Sequence, residues 1–229
     1  MSRSRFHEEL EQLELKLLTM GELAARAVRD AVDALVERDD AKAMAVIAGD
    51  DEVDELYIEI DHGMLTLLAL QAPVASDLRL ISTIMHANGH LERIADQAVN
   101  IAKLHEVTKD LPTSQTILQM IREMGDVAVD MIRCAMEAFR HRDVALCKRL
   151  DEMDDPLDRL NRHMHLEVAK LAEDPRALDW GMHMNMVARA LERVGDNCVD
   201  IGEQVGFLVT GEFREFTDAS RTGVIADED

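Results

Sequence analysis

Glu92 and Asp96 stand four residues apart, and Glu192 and Asp196 repeat that spacing one hundred positions later. On a helix, residues i and i+4 share a face one turn apart. Like charges so placed destabilise a helix slightly, so helix formation alone gives no reason for either pair. The first pair flanks an apolar stripe of Leu80, Ile84, Leu91, Ala95 and Ala98, which puts the expected site in a surface groove and not on a bundle axis. If the preceding segment folds back about a turn near Pro73, Glu92 falls level with Asp54 and Asp96 with Asp50, themselves an i,i+4 pair. Folding about Pro175 brings Glu192 near Asp158 and Asp196 near Asp154; a shift of one turn would substitute Asp151 and Asp155. Asn100 and Asp200, one turn further on, could add oxygens. Four converging carboxylates repel one another unless cations neutralise them, and oxygen-only ligation suits Mg²⁺, Mn²⁺ or Ca²⁺, and also iron. The competing reading pairs the acids with Arg93, Arg193 or nearby lysines on an ordinary solvated face. Duplication of the motif weighs against it.

Other constellations carry less. Glu59 and His62 form an E-x-x-H, but a di-iron bundle needs two such units, and Leu160 stands where His163 would need its glutamate. His62, His86, His90, His163, His165 and His183 are scattered. The three cysteines, Cys134, Cys147 and Cys198, include no C-x-x-C pair, so neither a disulfide framework nor a thiolate zinc site is indicated. No H-E-x-x-H, G-x-S-x-G or phosphate-cradling glycine loop is present. Met182, Met184 and Met186 read as core filling.

Helices must position these groups. The chain of 229 residues is 47% apolar and 31% charged but only 3% aromatic, with four prolines. That composition favours helix over sheet. Apolar spacing and breakers predict six helices, over 5–37, 40–70, 76–105, 115–140, 144–171 and 178–209. Ser76-Asp77 reads as a helix start, and Pro156 should kink the fifth helix or mark its true start. Asp110-Leu111-Pro112-Thr113-Ser114 reads as a linker, and the tail after Gly211 as polar and loose.

The chain is written twice. Leu91-Glu92-Arg93-Ile94-Ala95-Asp96 recurs as Leu191-Glu192-Arg193-Val194-Gly195-Asp196, and Met20-Gly21-Glu22 is echoed by Met124-Gly125-Asp126. The expected fold is therefore all-α, two pseudo-symmetric three-helix bundles over 1–109 and 110–229. A formal charge of −21 opposes nucleic acid and anionic lipid and suits cations or basic protein surfaces. No apolar run approaches the length that spans a bilayer and no signal peptide opens the chain, so a cytoplasmic protein without membrane insertion is expected.

The two signatures resemble the paired L-E-R-I-G-D motifs of the PhoU family, and Gln71-Ala72-Pro73-Val74-Ala75-Ser76-Asp77-Leu78-Arg79 resembles that family's A-S-D-L-R segment. The resemblance covers essentially the whole chain. It implies two three-helix bundles related by a pseudo-twofold axis, with metal ions, iron or zinc among them, held by E(D)-x-x-x-D motifs. It also implies a homodimeric negative regulator of phosphate uptake and phosphate-starvation signalling. The partners so implied are a phosphate ABC transporter's ATPase subunit and a membrane sensor histidine kinase. There are departures: Ala95 replaces the usual glycine, and the second half reads Pro175-Arg176-Ala177-Leu178-Asp179 where A-S-D-L-R would recur, so a role for Asp77 and Arg79 is not expected twice. The candidate ligands are Asp50, Asp54, Glu92, Asp96 and Asn100, with Asp154, Asp158, Glu192, Asp196 and Asp200, for iron, zinc, magnesium or manganese. A non-catalytic adaptor is the favoured function. A metal-dependent enzyme or a metal-storage bundle using the same carboxylates is the alternative.

Overall fold

The computed structural model describes residues 3–70 and 73–213; Gln71, Ala72 and the tail from residue 214 onward, including most of the segment expected to be loose, lie outside them. The described residues form helices α1 (Arg3–Glu37), α2 (Asp40–Ala48), α3 (Asp50–Leu70), α4 (Ala75–Thr108), α5 (Gln115–His141), α6 (Val144–Ala169) and α7 (Pro175–Thr210). They contain no strand. Each half has three helical legs, the second leg of the first half being in two pieces.

That break falls at Gly49, inside the single helix expected over 40–70. The Gly49 N–H donates to Ala45 O and Val46 O, closing α2. Asp50, Asp51 and Glu52 then fill the first turn of α3, where negative charge meets the positive end of the helix dipole. Both halves turn their first corner with the same device. Arg38 and Arg142 adopt positive φ (59° and 55°) after α1 and α5. Asp39 and Asp143 follow and accept backbone N–H groups at the starts of α2 and α6, satisfying donors that a helix terminus leaves unpaired.

Two helix starts differ from expectation, and one proline reading is settled. α4 begins at Ala75 behind Val74, which offers no side-chain cap, so Ser76 and Asp77 lie within the first turn instead of preceding it. α6 starts at Val144 and runs through Pro156, so the proline marks no helix start. α7 starts at Pro175, with Asp174 accepting from the N–H groups of Arg176 and Ala177; a proline at that position gives up only a donor the helix could not use.

α1 to α4 pack as one bundle and α5 to α7 as the other, joined by α4 against α7 and α1 against α5. α4 and α7 run antiparallel. Arg79 Nε donates to Leu208 O at 3.4 Å, Thr83 Oγ1 to Gln204 O at 3.1 Å, and His90 Nδ1 meets Asn197 Oδ1 at 2.8 Å. This register sets the two repeated signatures side by side. The α1–α5 contact is close because each helix offers a glycine to the other: a Cβ on Gly21 would lie 2.6 Å from Met136 Cγ, and one on Gly125 2.9 Å from both Val32 methyls. The buried apolar side chains form one continuous cluster across both bundles. No helix of the described residues is long and apolar enough to cross a membrane.

Candidate functional site

In the first half, Asp50 opens α3 with Asp54 one turn on, and both stand across from Glu92 and Asp96 of α4. Burial pushes the Asp50 carboxyl above its ordinary range, and the charges of Asp54 and Asp96 add to this. Glu92 is raised by burial, then by Asp96 and Asp54. Lys103 and Arg93 oppose these shifts without cancelling them. Asp50 also lines a cavity of about 160 Å³ with Arg26 and Asp30 of α1, Gly49 and Ala95.

The second group sits deeper. Asp154 and Asp158 of α6 face Glu192 and Asp196 of α7. Asp154 is pushed up to about 7 by burial, then by Asp158, Asp196 and Glu192. Asp196 rises by burial and by Asp158. Glu192 is only 8% exposed; its Oε1 accepts from Arg189 Nη1 at 2.7 Å. Glu192 Oε2 and Asp154 Oδ1 are buried with no hydrogen-bond partner, an arrangement costly to both unless a cation or water completes it. Gly195 makes the depth possible: a Cβ there would lie 2.5 Å from Asp154 Oδ1 and 2.9 Å from Leu157 Cδ2. The corresponding Ala95 carries that methyl, so the first group cannot sink in the same way. Of the acids offered by a one-turn shift, Asp151 is raised by burial and then by Asp155 and Glu152, not by Glu192 or Asp196.

The structure sends Asn100 and Asp200 elsewhere. Asn100 lines a groove between α4 and α7. Asp200 remains within electrostatic reach of Asp196, but its Oδ2 lies 3.5 Å from His90 Nδ1. The physical reason is helical drift: each i,i+4 step overshoots a full turn by about 40°, and two steps from Glu92 or Glu192 rotate the side chain off the face. Met182, Met184 and Met186 divide for a similar reason. Alternate residues point to opposite sides of a helix, so Met184 is buried while Met182 and Met186 are each 57% exposed. Glu59 is paired to Lys16 Nζ at 2.8 Å, leaving His62 exposed on its own. All three cysteines are buried, and burial raises each thiol, so none is poised as a nucleophile.

Arg79 and Asp77 have structural contacts. Arg79 donates to Leu208 O near the end of α7, and Asp77 lies 3.7 Å from His7 Nε2. Arg176, at the start of α7, donates to Asp110 O just past α4. Each half thus sends an arginine to the carbonyl end of the other half's last helix, although only the first carries the A-S-D-L-R letters.

One cluster was invisible in the sequence. Among the described residues, Asp40, His105 and Glu106 form the one group of three His, Cys or acidic residues whose donor atoms all lie within 4.8 Å. Its cation is already supplied, because Lys109 Nζ contacts Asp40 Oδ2 at 3.2 Å and Glu106 Oε2 at 3.1 Å. It reads as an ion-pair lock between α2 and α4. Among the described residues, no three carboxylates of either groove bring their oxygens within that limit of one another. The oxygen-only donor set of both grooves, and in the second the two unpartnered buried oxygens of Asp154 and Glu192, fit a hard cation that keeps part of its water shell.

Similarity to known proteins follows the same lines. The sequence model of the PhoU domain matches residues 17–104 and 121–205. A Pseudomonas putida protein named phosphate-specific transport system accessory protein PhoU homolog is 35% identical over 208 residues, 90% of this chain and 81% of that one. A Clostridium acetobutylicum protein of the same name is 31% identical over 95% of this chain and 100% of its own length. The crystal structure of PhoU from Pseudomonas aeruginosa superposes with a TM-score of 0.86 at 34% identity, over 90% of this chain and 100% of that one. The phosphate transport system regulatory protein PhoU from Streptococcus pneumoniae gives a TM-score of 0.84 at 27% identity, over 91% and 99%.

Proposed function

The chain belongs to the PhoU family, and on that premise we propose that it is a non-catalytic accessory protein of a phosphate-specific transport system which restrains phosphate uptake and phosphate-starvation signalling. Its partners in this reading are the transporter's ATPase subunit and a sensor histidine kinase, met in the cytoplasm by a homodimer. The carboxylate grooves bind cations, and the bound cations shape or bridge a partner surface. The observation that carries the metal half of the reading is the pair of unpartnered buried oxygens on Asp154 and Glu192. The regulatory half draws on the names borne by the relatives.

In this reading Asp154, Asp158, Glu192 and Asp196 hold one cation site and Asp50, Asp54, Glu92 and Asp96 the other. A bound ion would supply positive charge to groups that otherwise repel. Arg189 holds Glu192 in place from one side. The test is substitution of charge without change of shape: Glu92→Gln, Asp96→Asn, Glu192→Gln and Asp196→Asn together. With ample phosphate, cells carrying this quadruple variant at normal abundance should switch on the starvation response several-fold. Unimpaired repression by the well-expressed variant would sink the proposal. One feature favours the alternative of catalysis: burial and the neighbouring carboxylates push Asp154 up to about 7, the range that suits a general acid or base. Metal-dependent turnover of a phosphate ester or anhydride, lost in Asp154→Asn, would move the chain to that class.

A further inference from the structure

Between α4 and α7 runs an open groove of about 690 Å³. Leu104, Met182 and Met186 line it, and Val107 is 65% exposed at its end. Lys103, Arg189 and Arg193 stand along it, and no acidic residue lines it. That absence is informative in a chain where 46 of 229 residues are Asp or Glu. From Gln97 to Val107 the groove follows α4 for about 15 Å, the length of roughly three helical turns. Flexible methionines at an exposed apolar site adapt to the side chains of a partner helix.

The groove is not duplicated. One repeat away, the equivalent positions of α7 carry Asp200, Glu203 and Phe207 where α4 has Asn100, Lys103 and Val107. There His90 also bridges the helices to Asn197 and Asp200. The symmetric fold therefore offers one positively rimmed apolar groove per chain. A second copy docking through the same face by twofold symmetry would set basic residues against basic residues. A net charge of −21 disfavours an anionic bilayer.

We propose that this groove is the docking site for an amphipathic helix of a partner protein, whose apolar face covers Met182, Met186, Leu104 and Val107 and whose flanking Asp or Glu residues reach Lys103 and Arg193. The proposal gives the adaptor reading a contact surface but stands on the chemistry of the groove alone. Its test is selection of helical peptides of about five turns from a displayed random library, on the full chain, with counter-selection on Met182→Asp/Met186→Asp. Both methionines are exposed, so that variant should melt as the wild type does.

The recovered peptides should carry apolar residues at i, i+3 or i+4, and i+7, bordered by acids, and should bind the methionine variant at least about tenfold more weakly. Lys103→Glu/Arg193→Glu should reverse the preference toward lysine-bordered peptides. Recovery of basic peptides, or of none that depends on the two methionines, would overturn the proposal. Two further outcomes would overturn it by assigning the face differently. If sedimentation shows that the methionine variant dissociates a wild-type dimer, the occupant is a second copy. If the variant loses binding to phosphatidylserine vesicles, it is a membrane. Phosphate repression is no part of these readouts, so failure of the regulatory reading leaves the result intact.

Discussion

Asp154 is the residue on which the second groove turns. Its carboxyl is pushed up to about 7, whereas its ordinary value is 3.8. Between those values the folded chain holds a proton that the unfolded chain has released, so stability falls as pH rises through that window. Metal-free protein should therefore melt at a lower temperature at pH 8 than at pH 6, and Asp154→Asn should flatten the trend. Saturating Mg²⁺ or Mn²⁺ should reverse it, because cations bind the deprotonated carboxylates and stabilise the state they bind. Calorimetry at both pH values, with chelator and with metal, reads the three arms. A chelated protein insensitive to pH would mean that Asp154 is an ordinary solvated acid. The acids themselves were legible in the sequence because their spacing is unfavourable in an isolated helix and occurs twice. Arg189 was not: nothing in the sequence distinguishes it from Arg193 as the partner of Glu192, and only side-chain direction selects the residue one turn back.

Among the elements, turns and close contacts were harder to read than helices. The six apolar periodicities correspond to the observed legs, but the break at Gly49 leaves no signal in them, since a glycine inside a helical pattern is often tolerated. The paired corners at Arg38-Asp39 and Arg142-Asp143 were equally open to a repeat search and would have fixed both second legs. The echo of Gly21 in Gly125 is plain in the sequence, but its reason lies in the α1–α5 contact. Gly125→Ala should destabilise the protein by about 1–3 kcal/mol, since the new methyl must displace a stiff, β-branched side chain in a filled core. Gly21→Ala should cost less, because the methionine opposite can change rotamer. Chemical denaturation of the two variants checks both size and order. Equal and negligible effects would show that the helices separate freely at this contact.

At the scale of the molecule, the duplicated letters made the twofold plan legible, but not the fact that the two halves share one core. Nothing in a repeat states whether its copies stand apart or lean on each other; that depends on which faces of α1 and α4 are left apolar after their own bundle is closed. A fragment of residues 1–109 should consequently expose the faces that α5 and α7 cover. It should bind hydrophobic dyes more strongly than the full chain and aggregate through those faces. A monomeric fragment with a sharp melting transition would show the first bundle to be self-sufficient.

The shared core also has a consequence in time. A ribosome delivers the first half before the second, and at usual elongation rates the remaining residues follow over on the order of ten seconds. Throughout that interval α1 and α4 present to solvent the apolar surfaces that later become the wall between the bundles. Chain elongation, not helix formation, then limits how soon these surfaces are covered, since helices form in about a microsecond. A nascent chain in this state is a natural client for a holdase at the exit tunnel. Slowing translation between the linker and α7 should lengthen its exposure and lower the yield of native protein.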